Sequence, residues 1–107
     1  MPGLTILGAE TPETPYGPPS GPVVRGRLAG GGELLFLARH GTSHSIPPHR
    51  IDYRANISAL KSCGADRVMG LAAVGGISTE TGPRVLVVPD QIVDYTHGRA
   101  QTFFDGG

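Results

Sequence analysis

The sequence predicts an α/β protein, and three observations point to it. The stretch "PPHRIDYRANISALKSCG" (47–64) has helical periodicity, with Tyr53, Ile57 and Leu60 at i, i+4 and i+7. Short, nearly uninterrupted apolar runs flank it, as expected for strands covered on both faces. Strand, helix and strand at this spacing suggest a parallel βαβ unit. A sheet of that kind needs helices on both sides, yet only one convincing helix is present. The chain is therefore expected to be part of a larger α/β domain.

Taken in order, the front of the chain is the least regular. Glycine and proline total 27 residues, of which 14 fall in residues 1–32 and 13 in the remaining 75. Proline fixes φ and lacks an amide donor, so "TPETPYGPPSGP" excludes a regular helix. Residues 1–22 are expected to be an extended Pro/Gly-rich segment. "PVVRGRLAGGGELLFLA" then predicts two strands, 23–28 and 33–38, joined by a glycine turn. For the helix, prolines precede the first turn and Gly64 is placed to stop it. "DRVMGLAAVGG" (66–76) and "VLVVP" (85–89) are the strands expected to follow, joined through "STETGPR".

Composition removes several classes of function. Nine basic and nine acidic side chains cancel, which argues against a nucleic-acid or membrane-surface binder. No apolar run is long enough to span a bilayer, and "MPGLTILGAE" lacks the features of a secretory signal. Cys63 is the sole cysteine, so no internal disulfide can form and a cytoplasmic setting is expected. Cys63 itself is expected to be a small buried hydrophobe rather than a nucleophile.

The chemistry-bearing stretch is "FLARHGTSHSIPPH" (36–49), in which an apolar run opens into Arg39, His40 and Gly41. Arginine offers a fixed fork of donors to phosphate oxygens, and histidine adds another donor or a base. Glycine lets the backbone approach an anion without a Cβ in the way. At the end of a strand, the three face the ligand side of an α/β sheet. The competing structural reading is an arginine paired to a carboxylate beside a surface histidine. His44 and His49 continue a spacing from His40 that suggests a metal, with His97 further on. Pro47 and Pro48 prevent a helix from aligning such ligands, and no cysteine or carboxylate completes a set, so no metal site is expected.

Two families place Arg-His-Gly after an apolar strand. "LARHGTSHS" resembles the histidine phosphatases, in which the histidine is a nucleophile that becomes phosphorylated. Four longer blocks resemble the methylthioadenosine/methylthioinosine phosphorylase branch of the trimeric purine nucleoside phosphorylases. These are "ETPYGPPSGPVVRGRL", "IPPHRIDYRANISALKSCGADRV", "GLAAVGGI" and "VVPDQIVDYTHGRAQTFFDGG". They run in order from about Thr11 to Gly107, so the phosphorylase resemblance is the preferred one.

That resemblance implies a three-layer fold on a mixed, mainly parallel sheet, and a homotrimer when complete. It implies phosphorolysis of a 5′-methylthio-purine nucleoside to 5-methylthioribose 1-phosphate and free purine, in purine and methionine salvage. Inorganic phosphate is the co-substrate and no cofactor is implied. Arg39 and His40 match the phosphate-contacting pair, and Ala72 and Ala73 match a segment that adds backbone contacts to phosphate. Val74 and Gly75 match positions against base and sugar. The family commonly carries threonine or asparagine where this chain has Ala72, so a side-chain bond to phosphate is expected to be missing. Asp90, Gln91, Asp94 and Tyr95 are expected to be structural supports. The resemblance also implies that 1–107 is a single partial domain, without the family's N-terminal phosphate loop and its C-terminal, base-recognising half. Isolated, it is expected to be inactive, and a non-catalytic remnant is the alternative.

Overall fold

Strands form where the front half of the chain can return on itself. In the computed structural model, which describes residues 3–104, β1 (Leu4–Glu10), β2 (Val23–Leu28) and β3 (Glu33–Phe36) make one sheet in the order β1-β2-β3. Both pairings are antiparallel, with Glu10 opposite Val23 and Arg27 opposite Glu33. The turn between β2 and β3 is closed by Leu28 and Gly31 amides bonding the Gly32 and Leu28 carbonyls, at 2.7 and 2.9 Å. So short a connection can only return the chain antiparallel. β1 lies in the segment expected to be merely extended; residues 3–10 hold no proline, so their amides are free to pair with β2. A bulge between Ile6 and Gly8 shifts its register.

The helix α1 (Tyr53–Ser62) lies within the predicted stretch, and its ends show why. A 3-10 turn at Pro48–Arg50 precedes it. Asp52 is the N-cap, its Oδ1 accepting from the Ala55 amide at 3.0 Å. At the other end Gly64 adopts φ +101, and the Gly64 and Ala65 amides donate to the Lys61 and Leu60 carbonyls. This pair of bonds closes the last turn and requires a residue that tolerates the left-handed region.

The buried face of α1 is not the predicted one. Ala55, Asn56 and Ala59 are buried, whereas Ile57 is exposed and Tyr53 and Leu60 are half-buried. Two long-range links bring α1 to β2. Asn56 Oδ1 accepts from the Ser20 amide at 2.8 Å and Asn56 Nδ2 donates to Ser20 Oγ at 3.0 Å. Arg25 Nη2 donates to the Cys63 carbonyl at 2.8 Å, placing a cation at the negative end of the helix. Small side chains permit that close approach, and Val23, Ile51, Ala55 and Ala59 are buried with Pro19.

The expected parallel βαβ unit is not formed. β3 stops at Phe36 rather than residue 38, because the chain turns at once and the Gly41 amide bonds the Ala38 carbonyl at 2.9 Å. Residues 66–76 and 85–89 carry no strand; lacking a neighbouring strand to bond, their backbone has no ladder to join. The observed class is therefore a small mixed α/β arrangement around an antiparallel sheet.

The chain divides into two units, Met1–Arg67 with Arg99–Gly107, and Val68–Gly98. In the first, residues 99–104 return to α1. Arg99 Nη1 donates to the Tyr53 hydroxyl at 3.1 Å, and Phe103 packs edge-on to Tyr16 with ring centroids 5.3 Å apart. Arg54 sits 4.9 Å over the same Tyr16 ring. The second unit has turns but neither helix nor strand, and its apolar side chains are bare: Val74, Leu86 and Val88 are 83%, 84% and 85% exposed. No helix among the described residues is long and apolar enough to cross a membrane.

Candidate phosphate site

Arg39 and His40 lie on a tight loop three residues beyond β3. The loop is closed by amide bonds from Gly41 to Ala38, His44 to Gly41 and Ile46 to His40, between 2.9 and 3.0 Å. Gly41 is buried with φ +83, and a Cβ there would meet Ile46 Cδ1 at 3.4 Å and the Ser20 carbonyl at 3.6 Å. The left-handed backbone angle favours glycine, while the contacts a Cβ would make are ordinary ones. His44 adopts φ 56, an unusual angle for a side-chain-bearing residue, and its ring lies 5.0 Å from that of His40, tilted by 32°.

The two candidate side chains touch each other. Arg39 Nε donates to His40 Nε2 at 3.4 Å, and His40 Nδ1 lies 2.9 Å from the Ile46 carbonyl oxygen. Both residues are half-buried, so their outer atoms are open to a ligand while their positions are held. Beneath the loop, Ser20 is gripped by Asn56 of α1, and the Ser20 carbonyl lies close to Gly41 of the loop. The arrangement offers an arginine fork beside an imidazole on a fixed backbone, which suits an oxyanion.

The remaining predicted residues lie in the second unit. Ala72, Ala73, Val74 and Gly75 are consecutive and exposed, with their amides outside any helix or strand. Asp90, Gln91, Asp94 and Tyr95 are exposed too, and Asp94 Oδ1 accepts from the Thr96 amide and hydroxyl at 2.9 and 2.6 Å. Among the described residues no group of three histidine, cysteine or carboxylate side chains could hold a metal ion. Sequence reasoning missed Ser20, Asn56 and the Ile46 carbonyl. The one available signal was a polar Asn56 beside Ala55 and Ala59 on a face of small residues; a carbonyl leaves no mark in sequence.

Away from the loop, two groups titrate abnormally. Hydrogen bonds from Arg27 and Arg25 hold the Glu33 carboxyl below its ordinary value. Burial, with Glu10 adding to it, pushes the half-buried Cys63 thiol up. Cys63 is thus disfavoured as a thiolate.

Comparison with known proteins gives a consistent result. Residues 2–107 match the phosphorylase superfamily. A probable S-methyl-5′-thioinosine phosphorylase of Xanthomonas campestris is 58% identical over 91 residues, covering 85% of this chain and 36% of that protein. An S-methyl-5′-thioadenosine phosphorylase of Mycolicibacterium smegmatis is 52% identical, covering 89% and 36%. Among solved structures, a methylthioadenosine phosphorylase from an antarctic soil metagenomic library aligns with TM-score 0.55 and 47% identity, over 60% of this chain and 22% of that one. The chain thus spans about a third of the length of the curated relatives it matches.

Proposed function

Because this chain belongs to the phosphorylase superfamily, we propose that it supplies the phosphate-binding part of a 5′-methylthio-purine nucleoside phosphorylase. The observation that carries this reading is the 58% identity over 85% of the chain, a match too long to avoid either the Arg39–His40 loop or Ala72–Gly75. The reaction is phosphorolysis of methylthioinosine or methylthioadenosine to 5-methylthioribose 1-phosphate and free purine, a cytoplasmic salvage step. The histidine phosphatase reading is set aside, since its resemblance covers only 37–45.

In this reading Arg39 and His40 hold inorganic phosphate, the co-substrate, in line beneath the sugar, and no other cofactor takes part. Phosphate attacks the anomeric carbon as the purine leaves, with positive charge building on the ribose. The residues contribute orientation and charge compensation, and no covalent enzyme intermediate forms. Backbone amides of Ala72 and Ala73 complete the phosphate contacts, and Val74 and Gly75 lie against base and sugar.

The exposed apolar runs at 66–76 and 85–89 become strands of a three-layer, mainly parallel sheet once the remaining strands of a full-length phosphorylase flank them. The complete enzyme is a homotrimer of one nucleoside phosphorylase domain per chain. The 107 residues alone do not turn over, because Val74 and Gly75 supply only part of the base contacts.

The test is a chimera. Residues 11–104 replace the matching segment of a methylthioinosine phosphorylase, and hypoxanthine or adenine release is followed with phosphate and either nucleoside. Phosphorolysis should persist, and Arg39→Ala should raise the phosphate KM about ten- to a hundredfold. A folded but inactive chimera would instead mark the segment as a non-catalytic remnant.

A further inference from the structure

The loop carrying Arg39 and His40 determines which ring nitrogen holds the proton. His40 Nδ1 lies 2.9 Å from the Ile46 carbonyl oxygen, and a carbonyl can only accept. Nδ1 therefore carries the hydrogen, and in the neutral ring Nε2 is bare. The second contact agrees, since Nε2 accepts from Arg39 Nε at 3.4 Å. The Ile46 carbonyl is itself held, because the Ile46 amide donates back to the His40 carbonyl at 2.9 Å.

We propose that the site selects an oxyanion bearing its own proton: the P–OH of phosphate donates to His40 Nε2. Arg39 Nε is displaced from that nitrogen, and the guanidinium turns its donors to the anion's other oxygens. This rests on the phosphate-site reading above and adds the protonation state of the ligand to it. Hydrogen phosphate carries such a proton near neutral pH, whereas sulfate does not. Sulfate sets an oxygen lone pair against the lone pair of Nε2, and the fixed tautomer offers no donor there. One mismatched acceptor of this kind is expected to disfavour sulfate about tenfold.

The preference depends on Nε2 remaining a bare acceptor. The charged and titratable groups facing His40 are the Arg39 guanidinium and the His44 ring, both on the same loop. The Ser20 and Asn56 groups beneath the loop do not titrate. Among the described residues, Arg39 forms no ion pair with a carboxylate.

The test uses the 107-residue chain. Long-range 15N spectra of the ligand-free His40 ring give its tautomer, and titrations with inorganic phosphate and with sodium sulfate follow the same signals at about pH 8. His40→Asn presents either an N–H or a carbonyl, and so reports how the two anions differ without a fixed acceptor. The expected result is an Nδ1-protonated ring and a phosphate preference about tenfold above that of H40N. An Nε2-protonated ring, or sulfate bound as tightly as phosphate near pH 8, overturns the proposal and leaves the phosphate site standing. Binding of neither anion removes both.

Discussion

The two units of this chain put similarly apolar sequence to opposite ends. In the first, Ser20–Asn56 and Arg25–Cys63 tie α1 to β2 and the chain before it, and the Arg39–Ile46 loop closes on its own amides. In the second, the run from Val68 to Val93 leaves large apolar side chains bare and its backbone unladdered. Hydrophobicity alone does not make a strand. A hairpin and a capped helix close their hydrogen bonds within a few residues, whereas a buried parallel strand needs neighbours on both sides.

The widest contrast is expected in amide hydrogen exchange. Amides of β2 and α1 should be protected at least about a hundredfold more than those of 68–98. Equal protection in both regions would erase the distinction between them.

Substitutions beside the Arg39–Ile46 loop come next. Asn56→Ala strips Ser20 of both its partners and should cost about 1–3 kcal/mol in urea unfolding. Gly41→Ala forces a Cβ into the left-handed region against Ile46 and should cost about 1–2 kcal/mol. Both should weaken phosphate binding by the chain. A variant that kept full stability would show the loop to be held by something else.

A smaller effect is expected at the helix start. Asp52→Ala removes the bond to the Ala55 amide and should lower stability by about 1 kcal/mol, read from the thermal melt. Exchange in 68–98 should not respond.

The smallest effects are those of pH. Glu33 is held below its ordinary value of 4.5 by Arg27 and Arg25, so it adds stability at neutral pH that fades as pH falls below 4.5 through its folded value. Cys63 is pushed above its ordinary value of 9.0, chiefly by burial, so its contribution fades as pH rises past 9.0. Glu33→Gln should flatten the acid limb of the stability profile and Cys63→Ala the alkaline limb. Unchanged limbs would detach both groups from the folded unit.

Some of this was legible before any coordinates. The glycine turn of "RLAGGGEL" and the Pro-to-Gly span of the helix are local signals, and the structure follows them. Arg39, His40 and Gly41 stand out as candidates because they are consecutive, and the structure holds them on one closed loop. The helix face was misjudged because large apolar residues attract attention, while close packing against Ser20 selects Ala55, Asn56 and Ala59. Residues 66–76 and 85–89 were expected as strands because composition reports burial, not the presence of a partner.

By itself, the sequence determined the hairpin, the helix limits and the family. Each depends on neighbours a few residues apart or on long identity with relatives. Only the tertiary structure decided that β1 joins the sheet, that Asn56 holds Ser20, and that the Ile46 carbonyl fixes the His40 proton. Those depend on contacts between distant segments, or on where a backbone carbonyl points, and no residue type encodes either.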